Sequence, residues 1–537
     1  MIARDINVPQ VKISLAPTQE STPIPMEAPS HPRHSLRSQA VFFFLLAIIL
    51  FAPVFRASVP ALPLMVLQLA SVALLGILAW APGRLRLRSP EWLGVGFLLA
   101  FPLLYLIPLP GGLIEGVPGQ APYRATVNLV AGENQPGASP LSLVAYLTQA
   151  SWLTILIPVA VFLATRQLGE NQQLRLVKAL FVIIGFQALL ALVQYGAAQG
   201  GLLLFGFDPS ESGAAGTYRN RNHLAGLLEM TLPLVLAMLL FSLGRETPDR
   251  RRGWRRKVSF FASLSGHKAL AYGALAVLVV LGIVFTRSRT GIALAMLGIL
   301  MTTFLFSRRI GGDNVYGPTG TLVAIVMGIA VSIGLAPVLD RFSVGGALED
   351  MRWTIYDASI EGLATFLPFG SGPGTYVQVF PAFQPLELGP WLIDFAHNDY
   401  LQWLFEGGML AALLMLLLLG LYLWQWTRIY SRDRWSRYRF VQVAAGIGLL
   451  MMLIHEFLDF NLHIPANMVF FALLAGIFFS DPGQVDESKG RRRHKRRTPS
   501  LASAPVGEGV ANSSQAGPQV QEQIPNPFLD PVLEKPL

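Results

Sequence analysis

Three short stretches of the sequence combine arginine, histidine, amide and carboxylate side chains. The first runs from Gly216 to Gly226, reads GTYRNRNHLAG, and holds Arg219, Arg221, Asn222 and His223. Arginine presents a planar fork of donors that suits phosphate oxygens, and the N-terminus of a helix also favours anions. With Asn222 as the expected N-cap of the next helix, this stretch predicts a phosphate site. The alternative is a capped helix whose arginines touch lipid phosphates.

The second stretch, Phe285 to Gly291, reads FTRSRTG and contributes Arg287 and Arg289. Arginine keeps its charge in a poorly hydrated site, where lysine can lose it. The pair therefore predicts further phosphate ligands. Ordinary snorkelling of arginine at a helix end is the alternative interpretation.

The third stretch begins at Ala396, reads AHNDYLQWLFEGG, and places His397, Asn398, Asp399 and Glu406 at the entry to an apolar helix. Histidine is the side chain best suited to accept a proton near neutral pH. We therefore predict His397 as a catalytic base, with the other three residues and the earlier Asn222 and His223 in support. The alternative is that Asn398 or Asp399 only caps the helix and that His397 fills the interface.

A fourth stretch, HEFLDFNLH, holds His455, Asp459 and His463, which would follow each other at one-turn intervals on a continuous helix. HExxD departs from the HExxH zinc pattern, and a histidine near a membrane boundary usually bonds a neighbouring helix, so no metal is predicted. No cofactor is predicted either. The sequence lacks a P-loop lysine motif, a glycine-rich dinucleotide motif and a DxD pair, which argues against ATP and nucleotide-sugar chemistry.

The elements that position these stretches are predicted to be membrane helices. The 537-residue chain is 53% hydrophobic and 14% charged, whereas soluble domains carry roughly a quarter charged residues. It has no cysteine, so disulfides, thiolate metal sites and cysteine nucleophiles are excluded. Because a bilayer core needs roughly 20 apolar residues per helix, we predict twelve spans, at residues 40–56, 59–81, 91–108, 147–166, 174–196, 223–244, 269–286, 290–307, 320–340, 400–425, 440–462 and 465–480.

The distribution of positive charge gives the expected orientation. With the N-terminus inside, 33 of the 41 lysines and arginines fall on the cytoplasmic side, as the positive-inside rule requires. Both termini are therefore predicted to be cytoplasmic. The net charge of +9 is attributed to loops near anionic lipid rather than to nucleic-acid binding. The eight outer basic residues are all arginines: Arg56, Arg124, Arg219, Arg221, Arg287, Arg289, Arg341 and Arg352.

The predicted fold class is all-α, a polytopic bundle of about twelve transmembrane helices with a large periplasmic loop, residues 341–399, between the ninth and tenth. Residues 39–481 form the transmembrane domain, and the tails at 1–38 and 482–537 are expected to be disordered because they are rich in Pro, Ser and charge. No cleavable signal peptide is visible, so the first apolar run is expected to act as a signal anchor. Within the large loop, Trp353, Tyr356, Ile360 and Leu363 recur at helical spacing and predict an amphipathic interfacial helix.

The first three stretches, in this order and on these helices, resemble the O-antigen ligase and polymerase superfamily of bacterial surface-polysaccharide assembly. Members show a segment like GTxxNRNH, an SRxG segment that begins a helix, and a GxG-bearing outer loop before an HNxxL helix entry. The resemblance covers residues 200–480. It implies that Arg221 and Arg289 bind pyrophosphate, with Arg219 and Arg287 as additional contacts, and that His397 is the catalytic base.

The resemblance also implies a reaction. A glycan would pass from undecaprenyl pyrophosphate to an acceptor hydroxyl at the periplasmic face of the bacterial inner membrane, with inversion and without metal. Lipid A core sugars, which would make the chain an O-antigen ligase, are the favoured acceptor. A growing glycan and a protein hydroxyl remain open, and a lipid-linked glycan transporter is the alternative outside this class. The expected partners are the lipid-linked glycan, a glycolipid, glycan or protein acceptor, and membrane lipids, but no nucleic acid.

Overall fold

The computed structural model describes residues 32–80, 87–131, 138–196, 213–244, 263–307, 346–430 and 435–481. Within these ranges the regular structure is helical apart from one pair of two-residue strands. The predicted all-α class is therefore confirmed. The predicted ninth span, at 320–340, and most of both predicted tails lie outside the described residues.

The first half of the chain contains eight helices that precede or hold the first motif. A short antiparallel pair, β1 (Pro108–Leu109) with β2 (Ser139–Pro140), lies between the third and sixth of them. The helices are α1 (Pro32–Phe51), α2 (Ala61–Trp80), α3 (Ser89–Leu104), α4 (Gly111–Ile114), α5 (Ala121–Ala131), α6 (Ala145–Gln167), α7 (Glu170–Gly196) and α8 (Arg221–Gly244).

The second half carries the remaining three motifs. Its helices are α9 (Leu264–Thr286), α10 (Arg289–Ser307), α11 (Gly346–Phe366), α12 (Tyr376–Val379), α13 (Asp399–Tyr430), α14 (Arg437–His455) and α15 (Pro465–Phe478), with short 3-10 turns at Phe380–Ala382, Leu386–Leu388 and Asn461–His463.

Eight of the described helices are long and apolar enough to cross a membrane, namely α2, α6, α7, α8, α9, α10, α13 and α14, and three shorter apolar helices accompany them, α1, α3 and α15. The chain is thus a multi-pass membrane protein, as predicted. The total of twelve spans stays a prediction.

Two helix ends differ from the sequence-based expectation. Helix α1 begins at Pro32, inside the segment assigned to the N-terminal tail. Helix α14 ends at His455 and not near residue 462, so Asp459 and His463 lie in the connection to α15. The prediction that the fourth motif lies on one continuous helix is therefore wrong. The apolar residues Phe457 and Leu458 continue the hydropathy signal past the real end of the helix.

Among the eight described helices that could cross a membrane, α8 is the most enclosed, because nearly all of its residues are buried inside the protein. It packs against α9, α10 and α14. Since lipid gives no hydrophobic drive for helices to associate, close backbone approach is what holds such helices together. Gly448 of α14 allows this close approach because it has no side chain. A methyl group at this position would overlap the Met230 carbonyl of α8.

The predicted amphipathic helix of the large loop is present as α11, but its faces differ from the prediction. Trp353 and Ile360 are exposed, whereas Tyr356 is buried. The face that packs against α13 includes Gly362, where a side chain would collide with Phe405. The sequence therefore identified the helix correctly but not its packed face.

Candidate active site

The first motif forms the start of α8, and its N-cap is Asn220. The Asn220 side-chain oxygen accepts a hydrogen bond from the Asn222 N–H at 2.9 Å, which satisfies one of the orphan donors of the first turn. Asn222, predicted to be the cap, is instead the second helical residue. Its side chain is thereby available for a different contact, with Asp459.

Two glutamines of α7 hold the loop that leads into α8. Gln194 accepts from the Gly216 N–H at 2.8 Å and donates to the Gly216 carbonyl at 2.7 Å. Gln187 does the same for Thr217, accepting from its N–H at 3.0 Å and donating to its hydroxyl at 2.7 Å. Both glutamines are buried, so these hydrogen bonds hold the backbone that leads to Arg221 in one position.

The second motif is the tight turn between α9 and α10. Arg287 closes α9 in the left-handed conformation, with φ of 53°. Its guanidinium lies over the Tyr195 ring, 5.4 Å from the centroid, and donates to the Tyr195 hydroxyl at 3.3 Å. Arg289 is the first residue of α10. Arg287, one of the two arginines in this turn that are predicted to bind phosphate, is thus directed at Tyr195.

The helices that begin with Arg221 and Arg289 start side by side. Gly291, in the first turn of α10, lies so close to Ala225 of α8 that a methyl group on it would be 2.6 Å from the Ala225 Cβ. Ala225 is one turn after Arg221, on the same face of α8. Both arginines are half-buried, whereas Arg219 is exposed in the preceding loop. Two helix N-termini, each favouring anions, therefore lie next to each other.

His397 occupies a strained position just before α13. Its φ is 54°, a left-handed value that costs a non-glycine residue of order 1 kcal/mol or more. Tyr356 holds the backbone there by donating its hydroxyl proton to the His397 carbonyl at 2.8 Å. The next residue, Asn398, caps α13 by accepting from the Leu401 N–H at 3.0 Å. The predicted cap and the predicted base are thus adjacent residues with separate tasks.

Asp459 connects the first and third motifs. Its Oδ1 lies 3.8 Å from His397 Nδ1 and 3.7 Å from His223 Nε2. Its Oδ2 accepts from the Asn222 amide at 2.8 Å. The carboxylate is 1% exposed, so these contacts take place away from bulk water.

The environment of Asp459 favours its ionised form. Burial opposes ionisation, but the imidazoles of His223 and His397, and the charge of His455, together hold the pKa of Asp459 well below its usual value. A buried carboxylate facing Nδ1 leaves Nε2 of His397 as the atom for a substrate proton. Side-chain exposure of 30% for His397 makes it the imidazole of this group that a substrate can reach.

Sequence reasoning does not predict Asp459 as a site residue. It belongs to the fourth motif, whose residue types suggest a metal site and no catalytic role. The available signal was the concentration of His, Glu and Asp beside an apolar helix, since ionisable residues near a membrane are functional candidates by default. Within the described residues no group of three or more His, Cys, Asp and Glu side chains is arranged to hold a metal ion.

A sequence profile of the O-antigen ligase family matches residues 274–416. This region is thus similar to the O-antigen ligase family, which supports the resemblance that the motifs predict. The matched region begins within α9 and ends within α13, so it includes Arg289 and His397, whereas Arg221 and Asp459 lie outside it. A search of curated proteins found no match.

Inside the O-antigen ligase region, Glu406 anchors the glycine-rich loop before α12. Its two carboxylate oxygens accept from the Gly374 N–H at 2.8 Å and from the Tyr376 N–H at 3.0 Å. Gly372 N–H also donates to the Glu406 carbonyl at 2.7 Å. Gly372 has a φ of 114°, which an L side chain rarely adopts. Glu406 therefore stabilises the backbone of this glycine-rich loop. None of these hydrogen bonds joins it to His397.

Asp399 of the same region binds His463, whose Nδ1 lies 2.6 Å from the Asp399 Oδ1. Burial acts against the charged imidazole, but the Asp399 carboxylate outweighs it and raises the pKa of His463. Asp399 also interacts with Glu456, whose pKa is raised well above its usual value by burial and by the Asp399 charge. The Asp399 N–H donates to the Glu456 carbonyl at 3.0 Å. These contacts fix the start of α13 and hence the position of His397.

Proposed function

We propose that the protein is an O-antigen ligase-like glycosyltransferase that moves a glycan from undecaprenyl pyrophosphate to an acceptor hydroxyl. The observation that carries this proposal is a partly exposed imidazole next to a buried carboxylate, beside two adjacent helix N-termini that each begin with arginine. A base and an anion site are the two components that displacement from a lipid diphosphate needs.

In the proposed reaction His397 Nε2 accepts the proton of the acceptor hydroxyl as that oxygen attacks the anomeric carbon. Asp459 orients the ring and balances the positive charge that forms on it, as buried carboxylates do beside catalytic histidines. The glycosidic bond to the diphosphate breaks, and the electron pair leaves with the lipid diphosphate. Arg221 and Arg289, with Arg219 and Arg287 as outer contacts, stabilise the charge that grows on this leaving group.

The donor brings its own activation, so the proposed reaction draws on no ATP, metal or cofactor. The site is assigned to the periplasmic face of the inner membrane, with both termini in the cytoplasm, because the positive-inside count favours that orientation. For the acceptor we propose the lipid A core. A growing glycan or a protein hydroxyl would use the same chemistry, as in a polymerase or a protein transferase.

The proposal is tested with purified protein in liposomes that contain undecaprenyl-diphosphate-linked glycan and a core glycolipid acceptor. Arg221→Ala, Arg289→Ala and His397→Ala should each reduce release of the lipid diphosphate at least about 100-fold, the scale of one preorganised charge contact or one base. Arg289→Lys should also be poor, because a point charge does not reproduce a bidentate contact.

Arg175→Ala is the matched control, because Arg175 is exposed on α7 at the predicted cytoplasmic end. This variant should release the lipid diphosphate at the same rate as the unmodified protein. Full activity in all three site variants would remove the transferase assignment. Glycan translocation without diphosphate release would identify a transporter instead. Replacing the core glycolipid with a second lipid-linked glycan or a serine peptide distinguishes ligase, polymerase and protein transferase.

A further inference from the structure

Helix α11 exposes a stripe of large apolar side chains. Trp353, Ile360 and Leu367 recur every seven residues, and their exposed fractions are 65%, 52% and 42%. Seven residues make almost two full turns of an α-helix, so the three side chains lie on one face. Leu367 comes just after the last residue of α11, but its N–H still donates to the Leu363 carbonyl at 3.0 Å, as in a helix. The stripe therefore runs along most of α11.

The apolar stripe has a different neighbour on each side. On one side lie Asp357 and Glu361, which are both exposed. On the other side lies Tyr356, which is buried and donates to the His397 carbonyl at 2.8 Å. Around its circumference α11 thus carries a packed face, an apolar stripe and an acidic face. An apolar stripe beside a charged face is typical of helices that lie in the surface of a membrane.

Contacts with α13 fix the direction in which α11 runs. Towards one end of α11, Tyr356 binds the carbonyl of His397, which lies two residues before α13. Just past the other end, the Pro368 carbonyl accepts from the Met409 N–H of α13 at 2.8 Å. Helix α11 therefore runs beside the first turns of α13, in the same direction.

The first turns of α13 do not lead away from the membrane helices. Tyr422 of α13 donates to the Gly446 carbonyl of α14 at 3.0 Å, so these two residues lie close to one level. At 1.5 Å per residue, Met409 is about 20 Å from that level towards the His397 end, and the last residue of α14 is about 14 Å from it. The Asp399 N–H, at the start of α13, donates to the carbonyl of Glu456, the residue after α14. Both ends of these first turns therefore lie near the ends of membrane helices, and α11 lies beside them across the end of the bundle.

The apolar stripe continues into a surface that faces lipid. Met409, whose N–H binds Pro368, is exposed, and so are Leu413 and Leu416 further along the membrane-crossing part of α13. Leu367 directly precedes Pro368, so the last residue of the stripe lies beside this surface.

We propose that the apolar stripe of α11 docks on the lipid bilayer, in the leaflet on the His397 side of the membrane. Trp353, Ile360 and Leu367 contact the acyl chains, and the indole suits this boundary because its ring is apolar and its N–H is polar. The acidic face stays in water, since a carboxylate is costly in hydrocarbon. Helix α11 thereby holds Tyr356, and through it His397, at the membrane surface. This inference does not depend on which reaction the site performs.

The test uses the absence of cysteine from the chain, which allows one dye to be attached at one chosen position. The full chain with Ile360→Cys is labelled with nitrobenzoxadiazole and placed in nanodiscs of phosphatidylethanolamine and phosphatidylglycerol. A nitroxide on the lipid acyl chains should quench this dye strongly. Iodide in the water should quench it several-fold less than it quenches the free dye. Leu416→Cys, on the exposed surface of α13, gives the quenching of a lipid-facing position for comparison.

Glu361→Cys is the matched control, because Glu361 is the next residue of the same helix and is exposed on its acidic face. Its dye should be quenched by iodide and only weakly by the acyl-chain nitroxide. Equal iodide quenching at positions 360 and 361 would overturn the inference. A dye at position 360 that neither quencher reaches would also overturn it, because a protein surface would then cover the stripe.

Trp353→Cys gives a second reading if the Ile360→Cys variant does not accumulate. Quenching needs no turnover, so the outcome is separate from that of the transfer assay. A lipid-quenched dye in a protein without glycan transfer would remove the proposed function alone. A water-exposed stripe in a protein that transfers glycan would remove this inference alone.

Discussion

At the scale of residues, the position of His397 depends on contacts from three different elements. Its left-handed backbone is held by Tyr356 of α11, its ring faces Asp459 in the connection after α14, and its chain continues directly into the Asn398 cap of α13. A strained conformation persists only where its surroundings determine it, and such positions cluster at active sites. This is independent support for His397 as the reactive residue.

Asp459→Asn tests the role of the buried carboxylate. The amide has the same shape but no charge to stabilise an imidazolium, so kcat for glycan transfer should fall roughly 100-fold, within the range of general base catalysis. The substitution should leave the amount of membrane-inserted protein unchanged. Asn222→Ala is the comparison, because it removes one hydrogen bond to Asp459 and leaves the charge, and its loss should be smaller. A fully active Asp459→Asn protein would contradict the role given to this residue.

Glu456→Gln tests the pKa of Glu456, which burial and the Asp399 charge raise well above its usual value. In the unfolded chain a glutamate ionises near pH 4.3, so holding it protonated costs stability that grows as the pH rises above that value. The glutamine variant should therefore melt at a higher temperature than the unmodified protein at pH 8, and the difference should disappear towards pH 4. Tryptophan fluorescence during heating measures this. An equal difference in Tm at both pH values would contradict the prediction.

At the scale of elements, the sequence predicted most helices but not how their ends meet. Hydropathy located most of the described spans to within a few residues, because about 20 apolar residues are required wherever a helix crosses the bilayer. It failed at Pro32, where α1 begins inside the predicted tail, and at His455, where apolar residues continue after the helix has ended. It also did not distinguish Asn220 from Asn222 as the cap of α8, since both residues suit that position. The partnership of Asp459 with His397 depends on tertiary packing, which no local pattern reports.

Gly291→Ala tests whether the close start of α8 and α10 matters for activity. The added methyl group would lie 2.6 Å from the Ala225 Cβ, so the two helices must separate. A displacement of about 1 Å in a catalytic arrangement can cost roughly 100-fold in rate, and we expect a loss of that order in diphosphate release. Gly420→Ala in α13 is the matched control, because no atom lies within 4 Å of the added methyl group. Equal rates in the two variants would show that the helix N-termini need not be adjacent.

At the scale of the whole membrane region, a second group of charged side chains lies near the opposite end of α13 from His397. At the end away from His397, Glu91 of α3 binds Arg166 of α6 at 2.9 Å and Arg88 at 2.8 Å. Arg88 also contacts Asp481 after α15 and Gln425 near the end of α13. This ion cluster joins α3, α6, α13 and the segment after α15, far along α13 from the proposed chemistry.

Glu91→Gln tests the ion cluster. Arg166 is 5% exposed and Glu91 2%, so the substitution leaves a buried guanidinium without its counter-charge, which costs about 3 kcal/mol. The Tm of the purified protein should fall, while the rate of glycan transfer per folded molecule should be unchanged. Thermal unfolding followed by fluorescence, together with the liposome assay on the same preparation, separates the two effects. An unchanged Tm would show that the cluster does not hold the bundle together.

The bend at Gly408 determines how deep the proposed site lies in the membrane. Gly408 has a φ of 48° inside α13, and the Met409 N–H leaves the helical pattern to donate to the Pro368 carbonyl at 2.8 Å. The 22 residues from Met409 to Tyr430 measure about 33 Å at 1.5 Å per residue, which already equals the hydrocarbon thickness. We therefore expect the turns before the bend to lie in the headgroup layer. In the proposed reaction, the polyprenyl donor would keep its isoprenoid tail among the acyl chains and present only its headgroup there, without being extracted from the leaflet.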